Sequence, residues 1–169
     1  GLWFREALVW VTAALAIDRL QQAGVRPEHG PIAISGASGG VGSLAINMLA
    51  KLGHEVVAIS GKPEQSGYLR EIGASKILSR DDFMRDQAPM VSGAYFAAAL
   101  DNVGGQFLDR LCANVKPHGK VAIAGMVHVE TKMTVLPFVL RSVDILGINV
   151  SRQLQMPERQ RLWQRMGED

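Results

Sequence analysis

A glycine-rich run is the clearest chemical signal in the sequence. Its members are Gly36, Ala37, Ser38, Gly39, Gly40, Val41 and Gly42. The run follows an apolar stretch and opens a helical one, so a bare backbone here lets a pyrophosphate reach the free N–H groups at a helix N-terminus. A side chain at Gly39 would block that approach, and one at Gly42 would push the helix off the sheet. The run predicts a dinucleotide site, with a ligand-free tight turn as the alternative.

The same run deviates from the usual pattern and excludes one class of nucleotide site. The first glycine of the dinucleotide fingerprint falls at Ala37, so the match is to a variant. No Gly-Lys-Ser/Thr follows the run, which excludes a nucleotide triphosphatase loop.

The residues after the second predicted strand indicate which dinucleotide binds. An NAD site usually has Asp or Glu there, about 20 residues beyond the glycine turn, to bond the ribose hydroxyls. This sequence has Ser60, Gly61 and Lys62 instead, and Arg80 follows the neighbouring third strand. A hydroxyl and two cations suit a 2′-phosphate, so NADP(H) is favoured over NAD(H). The alternative is that Lys62 and Arg80 are solvated surface charges.

A polar segment also ends the fourth predicted strand, where the carboxyl ends of parallel strands line the ligand crevice. Asp101 and Asn102 precede Val103 and Gly104 there. Asn102 is therefore a candidate cofactor contact. The alternative is that Asp101 or Asn102 caps the next helix, and both interpretations can hold together.

Other chemistries find little support. Tyr68 and Tyr95 lack the Lys four residues later that a short-chain dehydrogenase needs. The single cysteine, Cys112, lies between apolar helical positions and is predicted to be core, which leaves no disulfide. The four histidines have no ligand spacing and are expected to be exposed, so no metal site is predicted. They are His29, His54, His118 and His128. No catalytic residue is assigned.

Strands and helices alternate along the whole chain with short connections. The predicted strands lie at residues 31–35, 54–60, 75–78, 95–101, 120–124 and 145–150. The predicted helices lie at residues 5–23, from the glycine turn to Leu52, at 64–72, around Phe107–Val115, at 137–141 and at 157–166. Residues 116–119 are predicted to end the helix around Phe107–Val115. Strands that appear apolar on both faces indicate a parallel sheet covered by helices. We therefore predict one α/β domain over residues 1–169, a doubly wound six-stranded Rossmann fold.

Composition narrows the functional classes. Of 169 residues, 47% are hydrophobic and 20% charged, and the net charge is only +2 with scattered basic residues, which does not favour nucleic acid. No apolar run reaches the roughly 18 residues that span a bilayer. A cytoplasmic protein of the globular class is expected.

Several of these motifs together resemble the medium-chain dehydrogenase/reductase superfamily. The motifs are the glycine turn, Ser60-Gly61-Lys62, Gly73-Ala74-Ser75, Arg80-Asp81-Asp82-Phe83 and residues 137–141 followed by Gly147. They are similar to its zinc-independent quinone oxidoreductase branch, of the acrylyl-CoA reductase type. The resemblance implies NADPH-dependent reduction of an activated C=C bond in an acyl-CoA or a quinone. It also implies that Ser38–Val41 hold the pyrophosphate, and that Ala124 and Phe138 lie near the nicotinamide.

Members of that family are about twice as long, so the resemblance implies that a GroES-like substrate domain is absent from this chain. The chain alone is then expected to be inactive. Two alternatives stay open: an enoyl reductase module of a polyketide or fatty-acid synthase, and a non-catalytic dinucleotide-binding module.

The sixth predicted strand points to a partner. Residues 145–150 are apolar, contain no Lys or Pro, and lie at the sheet edge in the expected strand order. We expect a homodimer through residues 144–151, with Val135, Phe138 and Val139 packing beside them. The alternative is that the last helix covers this edge.

Overall fold

The computed structural model of the protein describes residues 2–85 and 94–150, together with residues 157, 160–162 and 164. The helices are α1 (Leu2–Gln22), α2 (Gly40–Lys51), α3 (Ser66–Glu71), α4 (Arg80–Arg85), α5 (Gly105–Ala113) and α6 (Leu136–Arg141). The strands are β1 (Ile32–Ser35), β2 (Val56–Ser60), β3 (Lys76–Ser79), β4 (Phe96–Asp101), β5 (Val115–Ile123) and β6 (Asp144–Gly147). The described residues of the helix predicted at 157–166 are helical, and its other residues lie outside the described part.

The six strands form one parallel sheet in the order β3-β2-β1-β4-β5-β6. This order is the doubly wound Rossmann arrangement, and it confirms the predicted fold. From β1 the chain adds β2 and β3 on one side of the sheet, and then β4 to β6 on the other side. The connections after β1 and β4 therefore lead away from each other, and a crevice opens at the carboxyl ends of these two strands. That crevice is where the glycine turn begins.

Alternating residues of the central strands face two separate cores. Ile32 and Ile34 pack with α1, α2 and α3 on one side, whereas Ala33 packs with α4 and α5 on the other. All residues of β1, β2 and β4 are buried, which explains why these strands are apolar on both faces. The two edge strands differ, because β3 and β6 have exposed first and last residues.

The segment 116–119 does not terminate a helix as predicted. α5 already ends at Ala113, and Val115 pairs with Phe96 while Lys120 pairs with Ala98. Residues 116–119 therefore bulge from β5 opposite Ala97 alone. Pro117 has no N–H for the ladder, and His118 has a positive φ of 63° that takes the chain out of the strand.

Three further expectations need correction. The sixth strand was expected at residues 145–150, but β6 ends at Gly147 and Val150 is already helical. No helix was predicted at Arg80–Arg85, where α4 begins with the Asp82 N–H bonded to Ser79 Oγ. His54 is buried rather than exposed, because it sits between the end of α2 and the start of β2.

Among the described residues, no helix has the length and apolar character required to cross a bilayer.

Candidate dinucleotide-binding site

The glycine turn is held by its own backbone. Gly36 adopts a positive φ of 57°, and its carbonyl accepts the Gly39 N–H at 2.9 Å. A Cβ on Gly42 would lie 2.4 Å from the Gly36 oxygen and 2.9 Å from the Ala37 Cα. The glycine at position 42 is thus required by the turn that precedes the helix, not by the sheet beneath it.

The first turn of α2 presents its N–H groups at this point. The helix begins at Gly40, and its cap residue Gly39 has no side chain with which to accept a hydrogen bond. The first N–H groups of any α-helix lack intrahelical acceptors, so those of Gly40, Val41 and Gly42 are suited to an anion. Val9 of α1 covers one side of Gly40, with a Cγ 3.0 Å from where a Cβ would lie. Ser38, between the turn and the cap, is partly buried.

A buried carboxylate organises the crevice floor. Asp101, which is fully buried, accepts hydrogen bonds from Ser35 Oγ at 2.6 Å, Val103 N–H at 3.1 Å and Gly104 N–H at 2.8 Å. These bonds tie the end of β1 to the end of β4. The helix-cap alternative is not confirmed for Asp101: the N–H groups that it accepts belong to the turn before α5, a helix whose N-cap is Gly104 and has no side-chain capping hydrogen bond.

Asn102 is fixed on the same floor. Its N–H donates to Ser35 Oγ and its side-chain amide donates to the Ser35 carbonyl, both at 2.8 Å. Its Oδ1 is buried without a hydrogen-bond partner. Gly125 passes so close that a Cβ there would lie 2.1 Å from the Asn102 carbonyl oxygen. Ala124 precedes Gly125 and donates its N–H to the Asp101 carbonyl at 2.9 Å, so three strand ends converge here.

The predicted phosphate-binding residues lie together at the carboxyl ends of β2 and β3. Ser60 pairs in register with Ser79, the residue before Arg80. The Arg80 guanidinium lies across Gly61, with its central carbon 3.2 Å from where a Cβ would be. The Lys62 N–H donates to Ser60 Oγ at 3.1 Å, which folds the loop back over the strand end. Arg80 and Lys62 are both exposed, and Asp81 approaches Arg80 only at 3.6 Å.

Two residues that the resemblance placed near a nicotinamide are found on different sides of the sheet. Ala124 packs against the core formed with α1 to α3. Phe138 is half-buried in α6 and packs against the core formed with α4 and α5. Ala124 lies on the crevice floor, whereas the contacts of Phe138 are with the opposite core.

Among the described residues, the cysteine and the histidines form no reactive or metal-binding site. Burial raises the pKa of the Cys112 thiol to about 12, helped by the charges of Asp109 and Asp101, so the thiol is inert and belongs to the core as predicted. Burial lowers the pKa of His54, which Glu28 partly offsets. The other three histidines are exposed. In the described part of the chain, no group of three or more His, Cys, Asp or Glu side chains could hold a metal ion.

Some contributors to the site were missed from the sequence. Ser35 bonds Asp101 across 66 residues, and nothing local reveals such a pair. Gly104 and Gly125 are needed for close backbone approaches, to His128 and Asn102 respectively. Their glycine identity beside strand ends was the available signal, since isolated glycines there often mark close packing.

Comparison with known proteins finds a matching family and similar curated relatives. Residues 40–166 match the family described as zinc-binding dehydrogenase. The chain is 39% identical over 174 residues to acrylyl-CoA reductase AcuI of Ruegeria pomeroyi, covering 100% of the chain and 52% of the relative. The chain therefore spans about half the length of the curated relatives it matches.

Two solved structures superpose closely. The YhdH oxidoreductase from Salmonella enterica, in complex with NADP, has a TM-score of 0.89 and 37% identity, covering 96% of this chain and 49% of that one. The Bacillus subtilis protein YhfP, with NAD bound, has a TM-score of 0.87 and 40% identity, covering 95% of this chain and 50% of that one.

Proposed function

The chain belongs to the zinc-binding dehydrogenase family, and from this premise we propose that it is the NADP(H)-binding part of a reductase. The whole protein would transfer hydride from NADPH to an activated C=C bond, in acrylyl-CoA or another enoyl thioester, or to a quinone. The 39% identity to an acrylyl-CoA reductase supports the thioester substrate.

One observation carries the cofactor assignment. The crossing of Arg80 over Gly61, beside Ser60 and Lys62, puts two cations at the strand end where NAD sites have a carboxylate. A phosphate would find charge-assisted donors there and no acidic side chain at positions 60–62 to repel it. The relative solved with NADP supports this choice, although the one solved with NAD shows that both dinucleotides occur among close relatives.

The remaining residues fit the rest of such a cofactor. The glycines at positions 36, 39 and 42 allow the tight turn that leaves the start of α2 exposed at Gly39 and Gly40, where a pyrophosphate could reach its free N–H groups. Asp101 and Ser35 hold the Asn102 backbone and side chain in place on the crevice floor. When bound, the cofactor would supply the hydride, and this floor would orient it and exclude water from one side.

Substrate binding and turnover require more than these residues. Because the chain spans about half the length of its relatives, we propose that groups from the rest of the protein orient the substrate. We also propose that this chain alone does not convert substrate. We also propose that the reaction needs no zinc. Absence of NADPH oxidation by the whole protein with both acrylyl-CoA and quinones would favour a non-catalytic dinucleotide-binding role.

Cofactor preference can be measured on the chain itself. We expect NADPH to bind more tightly than NADH in titration calorimetry. Replacing Lys62 with alanine should weaken the binding of NADPH by about 1–2 kcal/mol, roughly tenfold in the dissociation constant, since a charge-assisted hydrogen bond is lost. NADH binding should hardly change.

Lys51→Ala is the matched control, because Lys51 is an exposed lysine at the far end of α2. It should leave the affinity for both cofactors unchanged. Equal affinity of the unmodified chain for NADPH and NADH would contradict the assignment.

We further propose that the protein forms a homodimer through the edge strand β6. The Ile148 N–H donates inward to the Ile123 carbonyl at 3.0 Å, so alternation along the strand turns the N–H groups of Ile145 and Gly147 outward. Val139 in the neighbouring α6 is 73% exposed, and Val135 at its N-cap is 67% exposed. An open edge beside an apolar surface suits a second copy of the chain.

A charge placed in this surface should separate the dimer. Val139→Lys would bury an unpaired ammonium on association, so we expect the dimer dissociation constant to rise about 100-fold or more. Sedimentation velocity at micromolar concentration measures this. Tyr68→Lys, on an exposed position of α3, should leave the dimer intact. A monomeric unmodified protein would refute the proposal.

A further inference from the structure

A second concave site lies at the opposite end of the sheet from the crevice. It is a cavity of about 440 Å³ between the loop that follows α1 and the bulge of β5. Its lining residues are Ala23, Gly24, Val25, His29, Ala97, Lys116, Pro117, His118, Gly119 and Lys120. The volume falls within the range of small-molecule sites.

Local backbone geometry creates this cavity. Gly119 is packed so tightly that a Cβ would lie 2.2 Å from Val115 and 2.7 Å from the Ala97 carbonyl oxygen. Gly30 has a positive φ of 126°, and the Lys116 ammonium occupies the space where its Cβ would be, at 2.7 Å. The bulge therefore carries Lys116 across to the opposite loop.

The lining is basic. Lys116 spends one donor on the His29 carbonyl at 3.2 Å, and its ammonium has no carboxylate within 4 Å among the described residues. The Nδ1 atom of His29 accepts the Arg26 N–H at 3.2 Å, which leaves the Nε2 atom of its ring available for a ligand. His118 adds a second imidazole. Lys120 also lines the cavity, but it is paired with Asp144.

We propose that this cavity binds the phosphate group of a small organic molecule. The cationic lysine and the imidazoles supply several separate donors, which suit the three acceptor oxygens and the roughly double negative charge of a phosphate monoester better than the single charge of a carboxylate. Val25, Ala97 and Pro117 give an apolar wall for the organic part. The site is formed by residues other than those of the crevice, so it does not depend on the proposed cofactor.

Phenyl phosphate is a suitable test ligand, with benzoate as its carboxylate counterpart. Titration of the ¹⁵N-labelled chain, followed by amide NMR, should shift the signals of Gly24, Gly30 and Gly119 with phenyl phosphate. We expect clearly weaker binding of benzoate. Lys116→Gln should weaken the binding of phenyl phosphate roughly tenfold or more, because a hydrogen bond to a charged group is lost.

Two further variants make the result decisive. Lys51→Gln removes a charge outside the cavity and should leave the affinity unchanged. His118→Asn removes the imidazole while keeping a residue that tolerates positive φ, and it should weaken binding without disturbing the fold. Shifts confined to Gly39, Gly40 and Gly42, equal binding of benzoate, or equal loss in Lys51→Gln would overturn the proposal.

Discussion

Gly42→Ala is expected to abolish NADP(H) binding and to lower the free energy of unfolding by about 1–3 kcal/mol, the usual cost of overpacking. The added methyl would lie 2.4 Å from the Gly36 carbonyl oxygen and 2.9 Å from the Ala37 Cα, which are backbone atoms that no rotamer change can move. Relief requires the turn and the start of α2 to separate. The N–H groups of that first turn would then no longer converge on one anion.

Gly67→Ala is the matched control. Gly67 lies in α3, has no atom within 4 Å of an added Cβ, and is not held at a positive φ. Alanine should therefore stabilise the protein by up to about 1 kcal/mol, because it favours the helix and restricts the unfolded chain. Urea unfolding and cofactor titration report both quantities. Unchanged cofactor affinity in Gly42→Ala would show that the turn does not hold the dinucleotide.

The second large effect concerns Asp101. Asp101→Ala would leave the buried Ser35 hydroxyl, the buried Gly104 N–H and the part-buried Val103 N–H without their acceptor. Unpaired buried donors and the resulting cavity should together lower the free energy of unfolding by about 3–5 kcal/mol. Denaturant unfolding measures this loss.

Ser35→Ala provides the graded comparison, since it removes one of the three donors to Asp101 and the acceptor of the Asn102 N–H, and keeps the other two donors to Asp101. It should cost only about 1–2 kcal/mol. Equal losses in the two variants would mean that the serine, and not the carboxylate, organises the crevice floor. A loss below about 1 kcal/mol in Asp101→Ala would mean that the floor does not depend on this network.

The sequence was sufficient for those features that rest on local patterns. In β1, residues 32–34 are apolar without interruption, which predicts a strand buried on both faces. The glycines from position 36 to 42 follow that strand directly, so the turn and the start of α2 were predictable. The strand order then followed from the general rules of doubly wound sheets.

Features set by distant contacts were not predictable in this way. The bulge at 116–119 depends on its packing against Ala97, and its residues gave the appearance of a helix terminus. The sequence predicts His54 as an exposed polar residue at a turn, yet the packing of α2 against β2 buries it. Arg80 was correctly expected beside the second strand, but its position across Gly61 depends on α4, which had no clear periodicity.

The pairing of β1 with β4 has a kinetic consequence. β1 and β2 are joined by a short α-helical crossover, so β1 to β3 form from one contiguous segment of chain. Pairing of Ile32 with Ala98 must instead close a much longer loop, and loop closure costs entropy before the new contacts repay it. The half-sheet β1–β3 is thus expected to assemble early and β4 to dock later. The crevice floor, whose Ser35 and Asp101 come from opposite sides of that junction, would be completed among the last steps of folding.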